Sequence, residues 1–298
     1  LLKTAYKGIW SMEFSTTIGP IVRIGQCQVY DPELNRIIIA YGCSSNGHFL
    51  NDMWAYNMDS SEWHCISKSL LSPRQYPSAV LIGRDMYVFG GACENEFYAD
   101  FHRINIDTGA CQLIPTQGTQ PCPRTSPALF SYQNSIFLWS GYDGRSHGGV
   151  YKIDLDNPNP TWYRFPNSHT GLPAPAFCQY KDQYFVFGGV NGSPLSEFDP
   201  KTGDFSPFPC IGTEPSIDLI RPSLVVVDEF IFLIGGDASI EYMHIFALDI
   251  KRKWWFAFHV RPDNVSLSLS DGLVNKIGLF MLPREHSSSV VYSPQLRT

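Results

Sequence analysis

Five short apolar runs, each closed by glycine, recur along the 298-residue chain at nearly constant spacing. Gly42 closes "RIIIAYG", Gly91 closes "MYVFGG", Gly141 closes "IFLWSG", Gly189 closes "YFVFGG" and Gly236 closes "IFLIGG". The intervals are 49, 50, 48 and 47 residues, and a further step of 46 reaches Leu282, where "KIGLFML" repeats the run without its glycines. Self-similarity at a fixed period of this length marks a repeat architecture, in which each unit buries its apolar faces against its neighbours.

Two further marks keep phase with the glycines. After each run comes a second strand-like stretch, a turn rich in Asp, Asn, Pro, Gly or Ser, and then an aromatic: Trp63, Trp162, Phe205, and Trp254 or Trp255. The second unit, "NIDTGACQLI", has Cys111 at that place. Before each run lies a shorter apolar stretch and a turn, as in "PSAVLIGRD" and "PALFSYQN". Turn residues at these offsets are what hairpins require. Each unit reads as four short antiparallel strands, the second ending at glycine and the fourth carrying the aromatic.

These residues resemble the kelch repeat, whose unit has a strand ending in Gly-Gly, then a turn, then a tryptophan. The resemblance covers almost the whole chain. It implies an all-β, six-bladed propeller with four antiparallel strands per blade, forming a single domain over residues 1–298; because the chain begins with Leu and not Met, it is expected to be a domain cut from a longer protein. The first residues, "KGIWSMEFS" with Trp10, read as a fourth strand, and the last unit lacks one. The N-terminal strand is therefore expected to close the last blade. The tryptophan-aspartate type of propeller is disfavoured, because its period is shorter and no Trp-Asp dipeptide occurs.

Composition narrows the function classes. The 28 acids outweigh the 22 bases, for a net charge of -6. This argues against a general nucleic-acid binder, which needs a basic excess. No apolar run is long enough to span a bilayer as a helix. The eight cysteines include no C-x-x-C pair, which favours free thiols in a reducing compartment, cytoplasmic or nuclear. The glycines lack the G-x-G-x-x-G and G-K-[ST] contexts of nucleotide loops, and no G-x-S-x-G nucleophile elbow occurs. No cofactor or metal site is expected. Plant specifier proteins of kelch-like fold carry Glu, Asp and His at four-residue steps; here Glu96 and Asp100 are followed by Ile104.

In such a propeller, the loops leading into each first strand and the loops after each second strand share one face. The leading loops offer Arg23, Arg74 with Tyr76, Arg124 and Arg221. The second set offers Tyr142, Arg145, His147 and Arg284. Guanidinium forks suit carboxylate and phosphate groups. One reading is a site for an acidic or phosphorylated partner segment, with the tyrosines supplying stacking area. The other is that each arginine ties neighbouring loops through backbone carbonyls or nearby acids. A protein-interaction module, bound to no nucleic acid or membrane, is the function expected. An enzyme acting on a sugar or small molecule in the channel and a cytoskeletal scaffold are the alternatives.

Overall fold

The computed structural model describes residues 7–15, 17–172, 174–189, 193–217, 222–234 and 244–261, and the strands Leu273–Asn275, Gly278–Met281 and Val290–Leu296. The described residues contain strands and no helix, and so no helix long and apolar enough to cross a membrane. Blade one consists of Cys27–Asp31, Arg36–Ala40, Met53–Asn57 and Glu62–Ser67. Blade two has Ser78–Ile82, Asp85–Phe89, Phe101–Asn105 and Cys111–Leu113; blade three has Ala128–Tyr132, Ser135–Trp139, Gly149–Asp154 and Thr161–Ser168. Blade four has Ala176–Tyr180, Gln183–Phe187, Ser196–Asp199 and Asp204–Pro207; blade five has Ser223–Val227, Phe230–Ile234, His244–Asp249 and Trp254–Arg261. In every blade the strands pair antiparallel in chain order.

The expected six blades are corrected to five. Beyond blade five the strands do not separate into a sheet of their own. Lys7–Ile9 pair in parallel with His259–Arg261, and residues 8–14 pair antiparallel with Val290–Leu296. Gly278–Met281 and Leu273–Asn275 follow, so these strands continue blade five as one nine-stranded sheet that also takes in Ile211–Gly212. The sequence contains the reason. The unit counted sixth has an apolar run but no closing glycine, the residue that ends the run in each of the other five units.

The period-two alternation of each second strand divides its side chains between two layers. Met86 and Val88 pack with Ile38 and Ala40 of blade one, whereas Tyr87 and Phe89 pack with Ile136 and Leu138 of blade three. Phe137 and Trp139 turn to Tyr184 and Val186 of blade four, and Phe185 and Phe187 to Ile231 and Leu233 of blade five. The second strands are thus buried on both faces, which is why they read as continuous apolar runs. Four-stranded sheets whose two faces are both covered by neighbours are the propeller solution to the edge problem.

The recurring aromatic has a definite place. Trp63, Trp162 and Trp255 are buried, while Trp254 is exposed, so Trp255 is the mark of the fifth unit. At each tryptophan the segment leading to that blade crosses the outer strand. Trp63 N donates to Thr17 Oγ1 at 2.7 Å, Gln117–Gly118 pair in parallel with Thr161–Trp162, and Ile211–Gly212 with Trp254–Trp255. Each lap fixes the order of consecutive units.

The two residues that close each run in blades one to four are left-handed at both positions. The φ values are 65° and 109° at Tyr41-Gly42, 72° and 98° at Gly90-Gly91, 68° and 102° at Ser140-Gly141, and 71° and 95° at Gly188-Gly189. A Cβ on Gly90 would stand 2.4 Å from the carbonyl oxygen of Arg124 in the next blade. Gly83, also left-handed, has open space around it. Gly83→Ala is expected to cost about 1 kcal/mol, the price of the left-handed backbone alone. Gly90→Ala is expected to cost at least twice as much, because the next blade must also move; urea unfolding midpoints of the two variants make the comparison.

Candidate functional site

The two loop sets do lie together. Arg23–Ile24 pair with Cys43–Ser44, Gln75 with Ala92, and Thr125 with Tyr142, so in three blades the leading loop is bonded to the loop after the second strand. Successive leading loops are also bonded to each other: Tyr76 N donates to Gly25 O at 2.5 Å and Ser126 N to Tyr76 O at 2.9 Å. A rigid collar of backbone therefore underlies this face, and its exposed tips are free to vary.

The three leading-loop arginines with described positions are not at its surface. Arg23, Arg74 and Arg124 are 2 %, 1 % and 0 % exposed. Each repeats one set of bonds. Nε donates to the carbonyl two residues back, of Ile21 at 2.9 Å, Ser72 at 3.0 Å and Cys122 at 2.9 Å. Nη1 donates to the carbonyl just before the terminal glycine, of Tyr41 at 3.0 Å, Gly90 at 3.0 Å and Ser140 at 2.9 Å. Arg23 and Arg74 also fork onto a carboxylate, with Nη2 2.9 Å from Asp52 Oδ2 and from Asp100 Oδ2 respectively. The geometry is that of the loop tie, the second of the two readings the sequence allows. Arg221 and Arg284 lie outside the described residues.

Asp52 and Asp100 were missed as partners. A signal for them exists, since each stands immediately before the third strand of its blade, in "NDMW" and "ADFH". In blade two the tie extends inward. His102 is fully buried, with Nδ1 3.4 Å from Asp100 Oδ2 and Nε2 2.7 Å from Tyr41 Oη. Burial pushes the His102 imidazole down and the Tyr41 hydroxyl up from their ordinary values. Burial would also raise Asp100, but its contact with His102 and its bonds to Arg74 overcome this and hold it at about 2. Neutral His102, closed off from solvent, positions groups and is not placed to take protons from a substrate.

What reaches solvent is the turn after the second strand of blade three. Tyr142 is 44 % exposed and the Arg145 side chain 78 % exposed. The turn is braced from within: His147 Nε2 lies 2.8 Å from Asp143 Oδ1, and His147 N donates to Gly141 O at 3.2 Å. Burial acts to raise the Asp143 carboxyl, but the His147 contact lowers it overall. Tyr76 is half-buried in the collar. The corresponding turn of blade two carries exposed Glu94 and Glu96, so the face is mixed in charge and not uniformly basic. No group of three or more His, Cys, Asp or Glu side chains is arranged to hold a metal among the described residues.

Residues 4–189 match the profile of the KLHDC2/KLHL20/DRC7 Kelch-repeats domain. The chain belongs to the kelch-repeat family. It is 25 % identical over 235 residues to the leucine-zipper-like transcriptional regulator 1 homolog of Drosophila melanogaster, covering 68 % of this chain and 23 % of that protein. It is 28 % identical over 162 residues to human Kelch domain-containing protein 3, covering 49 % and 42 %. With Adagio-like protein 3 of rice it shares 26 % identity over 269 residues, covering 78 % and 41 %. The chain thus spans less than half the length of these relatives. Kelch membership supports a protein-interaction module in general terms.

The tie makes two predictions. Asp100→Asn leaves the buried Arg74 without its counter-charge, and is expected to cost about 3 kcal/mol or more in urea unfolding. For pH, both folded-state values lie below those of the unfolded chain, roughly 6.5 for His and 3.9 for Asp. The stabilisation is therefore present above those values and is lost as pH falls, first through His102 below about pH 6.5 and then through Asp100 toward pH 2. The melting temperature of the wild type should drop between pH 7.5 and 5, and His102→Gln should flatten that part of the curve.

Proposed function

We propose that the propeller recognises a partner protein through the collar face, with the blade-three turn as its principal contact. The supporting observation is that this turn presents an aromatic ring and a guanidinium, Tyr142 and Arg145, on a loop braced by Asp143 and His147. Tyrosine and arginine are the residue types that carry most binding energy at protein interfaces. A loop held rigid before docking loses little entropy on binding. Arg145 favours an acidic or phosphorylated segment in the partner, because a guanidinium forks onto carboxylate or phosphate oxygens. Tyr76 and His147, half-buried beside the turn, complete the contact surface in this reading.

Substitution of Arg74 or Arg124 would not test the proposal, since both are buried in the scaffold. The discriminating pair is wild type against Tyr142→Ala with Arg145→Glu, used as baits with matched melting curves. Partner recovery is expected to fall at least tenfold, about 1.4 kcal/mol, while unfolding free energy changes by no more than roughly 0.5 kcal/mol. Phosphatase treatment of the lysate separates a phosphorylated segment from an acidic one. Equal recovery by both baits would move the contact away from this turn.

A further inference from the structure

Blade five repeats a surface of blade three with one difference. In both, the segment leading to the blade runs parallel to the start of the outer strand, Gln117–Gly118 beside Thr161–Trp162 and Ile211–Gly212 beside Trp254–Trp255. The second residue of each outer strand, Trp162 or Trp255, is buried and packs in the layer between blades. The first residues of each pair reach solvent. In blade three these are Gln117 and Thr161, both polar and exposed. In blade five they are Ile211 and Trp254, 58 % and 49 % exposed. The fold does not require an apolar pair at this place, because blade three is built in the same way without one.

The pair is held as a platform. Gly212 has a φ of 99°, and a Cβ on it would stand 2.7 Å from both Cδ1 and Nε1 of Trp254, so the indole rests against the glycine backbone. A tryptophan fixed before docking loses little entropy, and tryptophan is among the residues that carry most interface energy. Beside it, Lys253 is exposed, with Nζ 4.3 Å from the centre of the Phe208 ring, and it makes no ion pair among the described residues. Its neighbours Lys251 and Arg252 are each paired, with Glu229 and Asp249. The platform is therefore apolar, with one uncompensated positive charge at its edge.

The chain also carries the complement. The turn between the first and second strands has two residues in blades two to five: Gly83-Arg84, Gln133-Asn134, Lys181-Asp182 and Asp228-Glu229. In blade one it has four, Pro32 to Asn35. The longer turn presents Leu34, 51 % exposed, next to Glu33, whose side chain is 70 % exposed. One Glu33 oxygen lies 3.2 Å from Arg84 Nη1, and the other has no partner among the described residues. The turn is braced: Met58 N donates to Asn35 O at 3.0 Å, and Glu33 N donates to the buried Asp31 carboxylate at 3.1 Å. In blade five Ile250 N donates to Glu229 O at 3.2 Å, as Met58 N does to Asn35 O in blade one. The Leu34 turn and the turn carrying Lys253 thus stand on the same face, the one opposite the collar.

We propose that this face is a self-association surface, on which the Glu33-Leu34 turn of one copy seats on the Trp254 and Ile211 platform of a second copy and its carboxylate meets Lys253. Leu34 against an indole removes apolar surface of both from water, and Glu33 supplies the charge that the platform leaves unpaired. Because turn and platform share a face, two copies meeting about a two-fold axis make the contact twice, and the assembly closes as a dimer. Each copy carries a net charge of -6, so long-range repulsion opposes the contact and restricts it to high protein concentration. Both collar faces point away from it and stay open.

Sedimentation equilibrium of the 298-residue chain tests this, with matched melting curves for every variant. The wild-type mass is expected to rise toward that of a dimer above about 0.1 mM, the behaviour of a small transient interface. Leu34→Asp and Trp254→Ser are each expected to stay monomeric. An equimolar mixture of the two is expected to recover part of the association, since the intact turn of one fits the intact platform of the other. Glu33→Lys and Lys253→Glu repeat the test by charge alone, and serve should Trp254→Ser fail to fold. Each alone is expected to weaken association by about tenfold or more, and their mixture, in which every turn again meets an opposite charge, to restore the wild-type level. Wild type still monomeric at about 1 mM, or single variants that associate as wild type does, would overturn the surface. Mixtures no more associated than their separate components would overturn the pairing of turn with platform. Masses growing beyond a dimer would overturn the closed two-fold arrangement. None of these outcomes bears on Tyr142 and Arg145, whose variants are scored on partner recovery.

Discussion

Blades one to three depend on a clasp between an arginine and the residue before the terminal glycine of the same blade. Apolar layers hold consecutive blades together, but hydrophobic contact is non-directional and sets no angle between sheets. The arginine sets it. Its side chain binds the end of its own second strand, while its backbone carbonyl accepts from the terminal glycine of the preceding blade, Gly42 N to Arg74 O at 2.8 Å and Gly91 N to Arg124 O at 2.9 Å. One residue thereby joins two units. The glycine is required by the same contact: a Cβ at Gly42, Gly91 or Gly141 would stand 3.2, 3.2 and 2.8 Å from the Cδ of Arg23, Arg74 and Arg124. Repeated glycine and repeated arginine are two halves of one device.

This explains which parts of the architecture were legible in the sequence. The period was visible because the second strand and its glycine are constrained from both sides. The first glycine of the pair is replaced by Tyr41 and Ser140, whose backbones accept φ of 65° and 68°. The terminal glycine persists in all four blades where it is described, and in blades one to three the arginine stem leaves no room for a Cβ there. The blade count failed for the complementary reason. Counting apolar runs finds six units, but an apolar run alone makes a strand and not a blade boundary. Where the terminal glycine is missing, the strands after Arg261 in the chain run on from blade five through the parallel pairing of Lys7–Ile9 with His259–Arg261.

The site was legible in position and not in depth. Sequence placed the arginines in the loops leading into the first strands and placed those loops beside the second set, as the backbone pairing shows, but a buried guanidinium and an exposed one look alike in one dimension. The distinguishing information lies 29 residues beyond Arg23 and 26 beyond Arg74, in Asp52 and Asp100, and becomes readable only once both are seen to hold the same offset from the third strand. Tyr142 and Arg145 could be recognised as surface residues from "YDGRSHGG", since a turn with two internal glycines and no apolar residue beyond one tyrosine has nothing to bury.

Scaffold and recognition therefore compete for the same residue type at the same face, and depth decides between them. An arginine with an acid in register is consumed by the fold, because a buried pair satisfies both charges and the bidentate geometry fixes the loop. An arginine beyond the collar, such as Arg145, keeps its side chain largely in solvent, with only a loose contact of 3.9 Å to Asp143. Arg124 stands between the two cases: its stem and two of its nitrogens serve the clasp as in the neighbouring blades, while its guanidinium carbon lies 5.6 Å from the centre of the Tyr151 ring where those blades have an aspartate.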